Sequence, residues 1–218
     1  MSEHDDATTP HTPEQPPTAP RRAFERTHHG QTTSDPYAWM RDREDPELIA
    51  YLEAENSYAD ARTAHLEPLR EKLFQEIKSR VQETDLSVPI GDGPWWYYGR
   101  TIEGQQYAVH ARCPRPGPSA PRPALEPGEI PDGEQVLLDG NAAAAGHEFF
   151  SLGVLSVSPD HARLAAGIDL EGDERFDITI TEIATGEILD QAITGAGYGG
   201  EFDNSGRYFF YVVVDDAW

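Results

Sequence analysis

Hydrolysis by a serine on an α/β scaffold needs a nucleophile on a sharp strand-to-helix turn, written Gly-x-Ser-x-Gly, with Asp and His later in the chain. No serine among the 218 residues has glycine at both flanking positions; Ser205 comes nearest in flavour, and Asp203 stands two residues before it. His147-Glu148-Phe149-Phe150-Ser151 opens like a zinc-peptidase helix, but Ser151 occupies the place where a second His must complete the i, i+4 ligand pair. Gly195-Ala196-Gly197-Tyr198-Gly199-Gly200 fits Gly-x-Gly-x-x-Gly, yet Glu201-Phe202-Asp203-Asn204 and a β-rich run follow where a helix N-terminus must hold a pyrophosphate. His28 and His29 sit on a polar stretch and read as solvated. Glu171, Asp173 and Glu174 form an acidic loop that is either a solvated turn or a lure for basic peptides. No catalytic, cofactor-binding or metal-ligating residue is assigned, and no cofactor is expected.

The charge balance narrows the partners. A formal net charge of −22 leaves nothing to neutralise a row of phosphates, which excludes nucleic acid and anionic membrane surfaces. Hydrophobic residues make up 38% of the chain, and no apolar run approaches the roughly 20 residues that a membrane helix needs. Residues 1–20, rich in Pro, Thr and acidic side chains, read as a disordered tail without the basic-then-apolar pattern of a secretory signal. The single cysteine, Cys113, rules out an internal disulfide. A cytoplasmic location is expected.

The elements that must position any chemistry fall into two kinds. After the Asp35-Pro36-Tyr37-Ala38-Trp39-Met40 stretch, whose aromatics are expected to dock, Asp45 reads as a helix N-cap with Pro46 at the first helical position and Glu47 in the first turn. Leu48, Tyr51, Leu52, Glu55, Tyr58, Ala59 and Arg62 carry that helix to about Thr63. Pro68 restarts a second helix with Leu69, Leu73, Ile77 and Val81 on one face and a Glu76–Arg80 pair on the other, giving a helical hairpin.

From Leu86 onward short β-rich runs take over: Trp95–Arg100, Tyr107–Ala111, Val136–Leu138, Val154–Ser158, Leu164–Ile168, Phe176–Ile183 and Tyr208–Val214, with a proline-rich loop from Pro114 to Pro131. The alternating aromatics Trp95 to Tyr98 read as core. Val157-Ser158-Pro159-Asp160 before Arg163-Leu164-Ala165-Ala166 is echoed about 45 residues later by Phe202-Asp203-Asn204-Ser205-Gly206 before Arg207-Tyr208-Phe209-Phe210-Tyr211. That period fits β-propeller blades of about four strands; two similar hairpins of a β-sandwich fit it as well. In the propeller reading, Gly195–Gly200 is a flexible blade-to-blade connector.

From about Asp35 to Trp218 the chain resembles the prolyl oligopeptidases, and among them oligopeptidase B. The resemblance rests on Asp35-Pro36-Tyr37-Ala38-Trp39, Asp45-Pro46-Glu47-Leu48, Leu69-Arg70-Glu71-Lys72-Leu73-Phe74, Trp96-Tyr97-Tyr98, Gly146-His147-Glu148-Phe149-Phe150-Ser151-Leu152-Gly153, Ser158-Pro159-Asp160, Gly172-Asp173-Glu174-Arg175-Phe176 and Ala184-Thr185-Gly186-Glu187, taken in order. It implies a mainly β chain: a helical hairpin followed by the first two or so blades of a seven-bladed propeller. It also implies a missing α/β-hydrolase domain as partner and short basic peptides as substrates, cut after Arg or Lys. The expected division is a tail over 1–20, a helical segment over 21–85 that packs on the hydrolase domain, and propeller over 86–218. The nucleophile, acid and base are expected beyond residue 218, so the chain alone is expected to be inactive and to filter substrates. A chain that stops inside the β run Tyr208–Trp218 is expected to be a portion of a longer enzyme. The alternative is a stand-alone binding module without catalysis.

Overall fold

The computed structural model describes residues 15–213 and 215, so most of the expected tail and Val214 lie outside the described residues. Two compact units form, one ending at Val81 and one beginning at Gln82.

In the first unit β1 (Glu25–His28) and β2 (Gln31–Ser34) pair antiparallel as a hairpin that sequence periodicity did not flag. His29 and Gly30 turn it with φ of 50° and 77°, the double positive-φ turn that matches strand twist. Trp39 docks as expected of that stretch: its indole N–H donates to the Pro20 carbonyl at 2.9 Å, and the Arg22 guanidinium lies 4.4 Å from its ring centroid. Arg22 also pairs with Asp45 at 3.3 Å and with Glu47, tying the entry segment to the start of α1 (Pro46–Thr63). Asp45 caps that helix by accepting from the Glu47 amide at 2.8 Å, with Pro46 just inside. A single 3-10 turn, Ala64–Leu66, leads into α2 (Glu67–Lys78), completing the helical hairpin; Glu76 and Arg80 pair at 2.6 Å. Leu48 is buried, whereas Leu69, Leu73, Phe74 and Ile77 stand exposed along α2.

The second unit is two antiparallel sheets. In the first, β3 (Asp85–Leu86) and β4 (Ile90–Asp92) share one edge of β5 (Trp95–Thr101), which pairs with β6 (Val109–Pro114), which pairs with β7 (Gln135–Asp139). The strand expected at Tyr107–Ala111 starts two residues later and runs on to Pro114, because Tyr107 is held off the ladder by Asn141, which accepts from its amide at 2.9 Å and donates to its carbonyl at 2.8 Å. A short helix, α3 (Gly140–Ala143), is capped by Asp139 and leads to the second sheet. There β8 (Ser151–Val157), β9 (Arg163–Asp169), β10 (Phe176–Glu182), β11 (Ile188–Phe202) and β12 (Phe209–Val213) lie in chain order.

The first sheet is a meander of four strand positions, as a blade requires, and the second is a meander of five, its fifth strand joined through the long β11. β11 corrects one expectation. Residues 195–200 are not a loose connector but the middle of a 15-residue strand: Ala196 pairs with Phe176 on one side and Val213 on the other. The glycines serve bulges, with Gly195 and Gly199 at φ of 65° and 82°, which let one strand end a blade and begin the next. The core of this sheet is Val154, Ala165, Ile178, Ala196 and Phe202. Trp96 and Tyr98, with Ala111 and Cys113, form the core of the first, so half of the aromatic run is core and its other half, Trp95 and Tyr97, faces blade 2. Among the described residues no helix is long and apolar enough to cross a membrane.

Candidate functional site

The tight turns predicted as a repeat occupy equivalent places, joining the first and second strands of successive blades. In one, Ser158 donates to Asp160 at 2.5 Å while its own oxygen accepts from the Arg163 amide at 2.9 Å. In the other, Asp203 accepts from the Ser205 hydroxyl at 2.6 Å and from the Arg207 and Tyr208 amides at 2.9 and 3.0 Å. The Ser205 hydroxyl first, and those amides, hold the Asp203 carboxyl down at about 2. Ser205 is thus spent on turn geometry.

These turns also join the blades. Arg163 donates to the Gly206 carbonyl at 2.6 Å, and Ser156 on the second blade donates to Glu201 at 2.8 Å where the third begins. Between the first two blades, the Tyr97 hydroxyl meets His161 Nδ1 at 2.8 Å and Arg112 donates to the His161 carbonyl at 2.7 Å. Arg112 is 4% exposed; Gln135 accepts from its Nε at 3.0 Å, and its guanidinium stacks 4.0 Å from the Trp95 centroid. Burial raises the Tyr97 hydroxyl above its ordinary range, against the pull of Arg112.

The opposite end of the blades carries the residues singled out for substrate attraction. Glu171, Asp173 and Glu174 are exposed on the loop between β9 and β10. The loop is shaped by Asp169, 2% exposed, which accepts from the Glu171, Gly172 and Glu174 amides at 2.8, 2.8 and 2.9 Å. Phe149 packs over Gly172, which brings the His147–Phe150 segment beside this loop. That segment is coil, not the helix on which an i, i+4 metal pair would form. Tyr107 and Phe150 meet edge to face at 4.7 Å and, with His110, Gly140 and Leu152, line an open hollow of about 260 Å³ between the blades. Burial lowers the His110 pKa, so this hollow is walled by a neutral imidazole and two rings. His28 and His29 lie on the hairpin of the first unit, their rings 4.0 Å from each other. The loop end therefore presents exposed carboxylates beside an aromatic hollow. Sequence reasoning found the exposed carboxylates and missed Asp169, Arg112 and His161, whose roles depend on contacts made across blades.

The description of the prolyl oligopeptidase N-terminal β-propeller domain matches residues 16–217. The chain is 40% identical over 192 residues to dipeptidyl aminopeptidase BI of Pseudoxanthomonas mexicana, covering 86% of this chain and 26% of that one. It is 32% identical over 202 residues to protease 2 of Moraxella lacunata, covering 92% and 28%. Oligopeptidase B from Leishmania major superposes with a TM-score of 0.79 at 28% identity, over 92% of this chain and 29% of that one. The chain spans about a quarter of the length of these curated relatives.

Proposed function

This chain belongs to the prolyl oligopeptidase family, whose N-terminal β-propeller domain it carries, and from that premise we propose that it is the substrate-filtering part of a cytoplasmic serine oligopeptidase that cleaves short peptides after Arg or Lys. In this reading the segment 21–85 docks on an α/β-hydrolase domain, 86–218 builds the opening blades, and no side chain of the chain takes part in bond breaking. The observation that carries the filtering role is the loop end described above: carboxylates held out by a structured turn beside an aromatic hollow, on a chain of net charge −22. Such a field raises the local concentration of basic peptides and falls away with salt. Likeness to oligopeptidase B and protease 2 supports a peptidase, and cleavage inside the peptide after a basic residue is what the resemblance to oligopeptidase B implies.

A second reading has its own support. The 40% identity with a dipeptidyl aminopeptidase favours release of dipeptides from a free N-terminus. The polypeptide joining this chain to a hydrolase domain decides between them when offered blocked arginyl and lysyl reporters and unblocked dipeptidyl reporters. The proposal expects blocked basic reporters to be cut, the activity to vanish on fluorophosphonate labelling, and residues 1–218 alone to be inert. Cleavage of unblocked dipeptidyl reporters only selects the second reading, and turnover by residues 1–218 alone overturns both. A chain that binds peptides with no hydrolase partner in any assembly is the binding module.

A further inference from the structure

The turns that join the first and second strands of the blades each contain a residue in the left-handed region: Gly93 at φ of 50°, His161 at 60° and Gly206 at 65°. At the last two the carbonyl meets an arginine of the preceding blade. Arg163 of blade 2 donates to the Gly206 carbonyl at 2.6 Å, and Arg112 of blade 1 donates to the His161 carbonyl at 2.7 Å. A left-handed carbonyl is therefore enough to receive an arginine across a seam, and glycine supplies it without steric cost. At the seam between blades 1 and 2 a histidine holds that conformation instead, which a side chain keeps only when its surroundings fix it.

What fixes it comes from blade 1. His161 Nδ1 meets the Tyr97 hydroxyl at 2.8 Å, and the two rings stack with centroids 6.1 Å apart and planes inclined by 30°. Another edge of the imidazole fills the space over Gly93, where a Cβ would stand 2.2 Å from Nε2. The Tyr97 hydroxyl also accepts from Arg112 Nη1 at 3.4 Å. A guanidinium only donates, so the hydroxyl gives its proton to Nδ1, and the imidazole proton sits on Nε2. Burial raises that hydroxyl above its ordinary range, which keeps it a donor. Arg112 is itself placed by Gln135 and by the face of Trp95. We infer that His161 is a latch that fastens blade 2 to blade 1, so that the two blades move as one body. Its ring is seated between Gly93 and Tyr97, and its carbonyl catches Arg112. Every residue of the latch lies at the seam between these two blades, and the inference rests on that seam and not on the peptidase reading.

The Nε–H of Arg112, a residue 4% exposed, reports the opening of the seam through its hydrogen exchange, followed by NMR in the full chain. His161→Gly keeps the left-handed carbonyl and removes the ring; it is expected to lower the protection of that group about tenfold or more. Tyr97→Phe is expected to lower it by a similar factor, and the two changes together by no more than either alone, as for two ends of one interaction. His161→Asn tolerates the left-handed region and keeps an acceptor oxygen, so it is expected to recover most of the protection. Gly93→Ala, made on the opposite blade, is expected to displace the ring and to match His161→Gly. Amide protection at Phe176 and Ile178, in the core of blade 2, is expected to stay in every variant, which separates opening of the seam from loss of the fold. Unchanged Arg112 protection in His161→Gly or Gly93→Ala, additive losses in the double variant, an Asn variant no better than the Gly variant, or lost protection at Ile178 overturns the latch.

Discussion

Asp169 sets the loop end of the second blade, and its charge is what sets it. Burial pushes its carboxyl up, but amides led by Gly172 and Glu171, then Glu174 and Asp173, outweigh burial and hold it below the usual carboxylate range. Charge-assisted hydrogen bonds of this kind each contribute about 1.5–3 kcal/mol, so Asp169→Asn is expected to cost roughly 2 kcal/mol in urea unfolding. The folded pKa is depressed, so the stabilisation is fully present above the unfolded value near 4 and drains as pH falls through the lower folded value. The natural chain is expected to lose stability on acidification in that window more steeply than the Asn variant; parallel slopes would remove Asp169 from the account. The neighbours Glu171, Asp173 and Glu174 were legible because acidic runs stand out in sequence. Asp169 was not, since a strand-ending Asp looks like any other until its amide donors are in place. Arg112 was hidden for a related reason, its acceptors being 23 and 49 residues away.

Secondary elements were legible to the degree that their own residues decide them. α1 is written in a cap, a first-turn proline and a periodic face, all local, and it begins where those signals put it. The ladder β8 to β10 follows from short alternating runs between turn residues. β11 was not legible, because a glycine-rich stretch has no side-chain pattern and is held as strand by Phe176 and Val213 on either side. Another glycine shows how closely these strands approach. A Cβ on Gly153 would lie 2.5 Å from Phe176 Cε1 and 2.6 Å from Cζ, and Phe176 is fully buried, so its ring has nowhere to retreat. Gly153→Ala is expected to destabilise by about 1–3 kcal/mol through overpacking, read as a lower urea midpoint with an unchanged slope. A neutral result would mean the bulge between Leu152 and Val154 absorbs the methyl.

The family and the propeller architecture were legible because ordered motifs along the chain carry them, whereas what covers the outer surfaces is not written in any single motif. Two surfaces of the described residues carry exposed apolar side chains. Among the described residues β12 pairs with β11 alone, and Phe210 and Val212 on one of its faces are 66% and 61% exposed. α2 shows Leu73, Phe74 and Ile77 to solvent. An open edge strand with apolar side chains is a template for another copy, while the charge of −22 on each copy opposes the meeting. The two effects respond differently to salt. Repulsion between exposed charges fades as the screening length drops from about 30 Å at 0.01 M to about 3 Å at 1 M, whereas apolar contact does not weaken. Association of the isolated chain is therefore expected to increase with ionic strength, the reverse of a charge-driven dimer, as measured by sedimentation velocity across a salt series. Phe210→Lys with Val212→Lys places two like charges on the edge and is expected to restore the monomer at every salt concentration. If the lysine pair leaves association intact while Leu73→Lys with Ile77→Lys abolishes it, the helical surface is the sticky one and the edge strand is already protected by its twist.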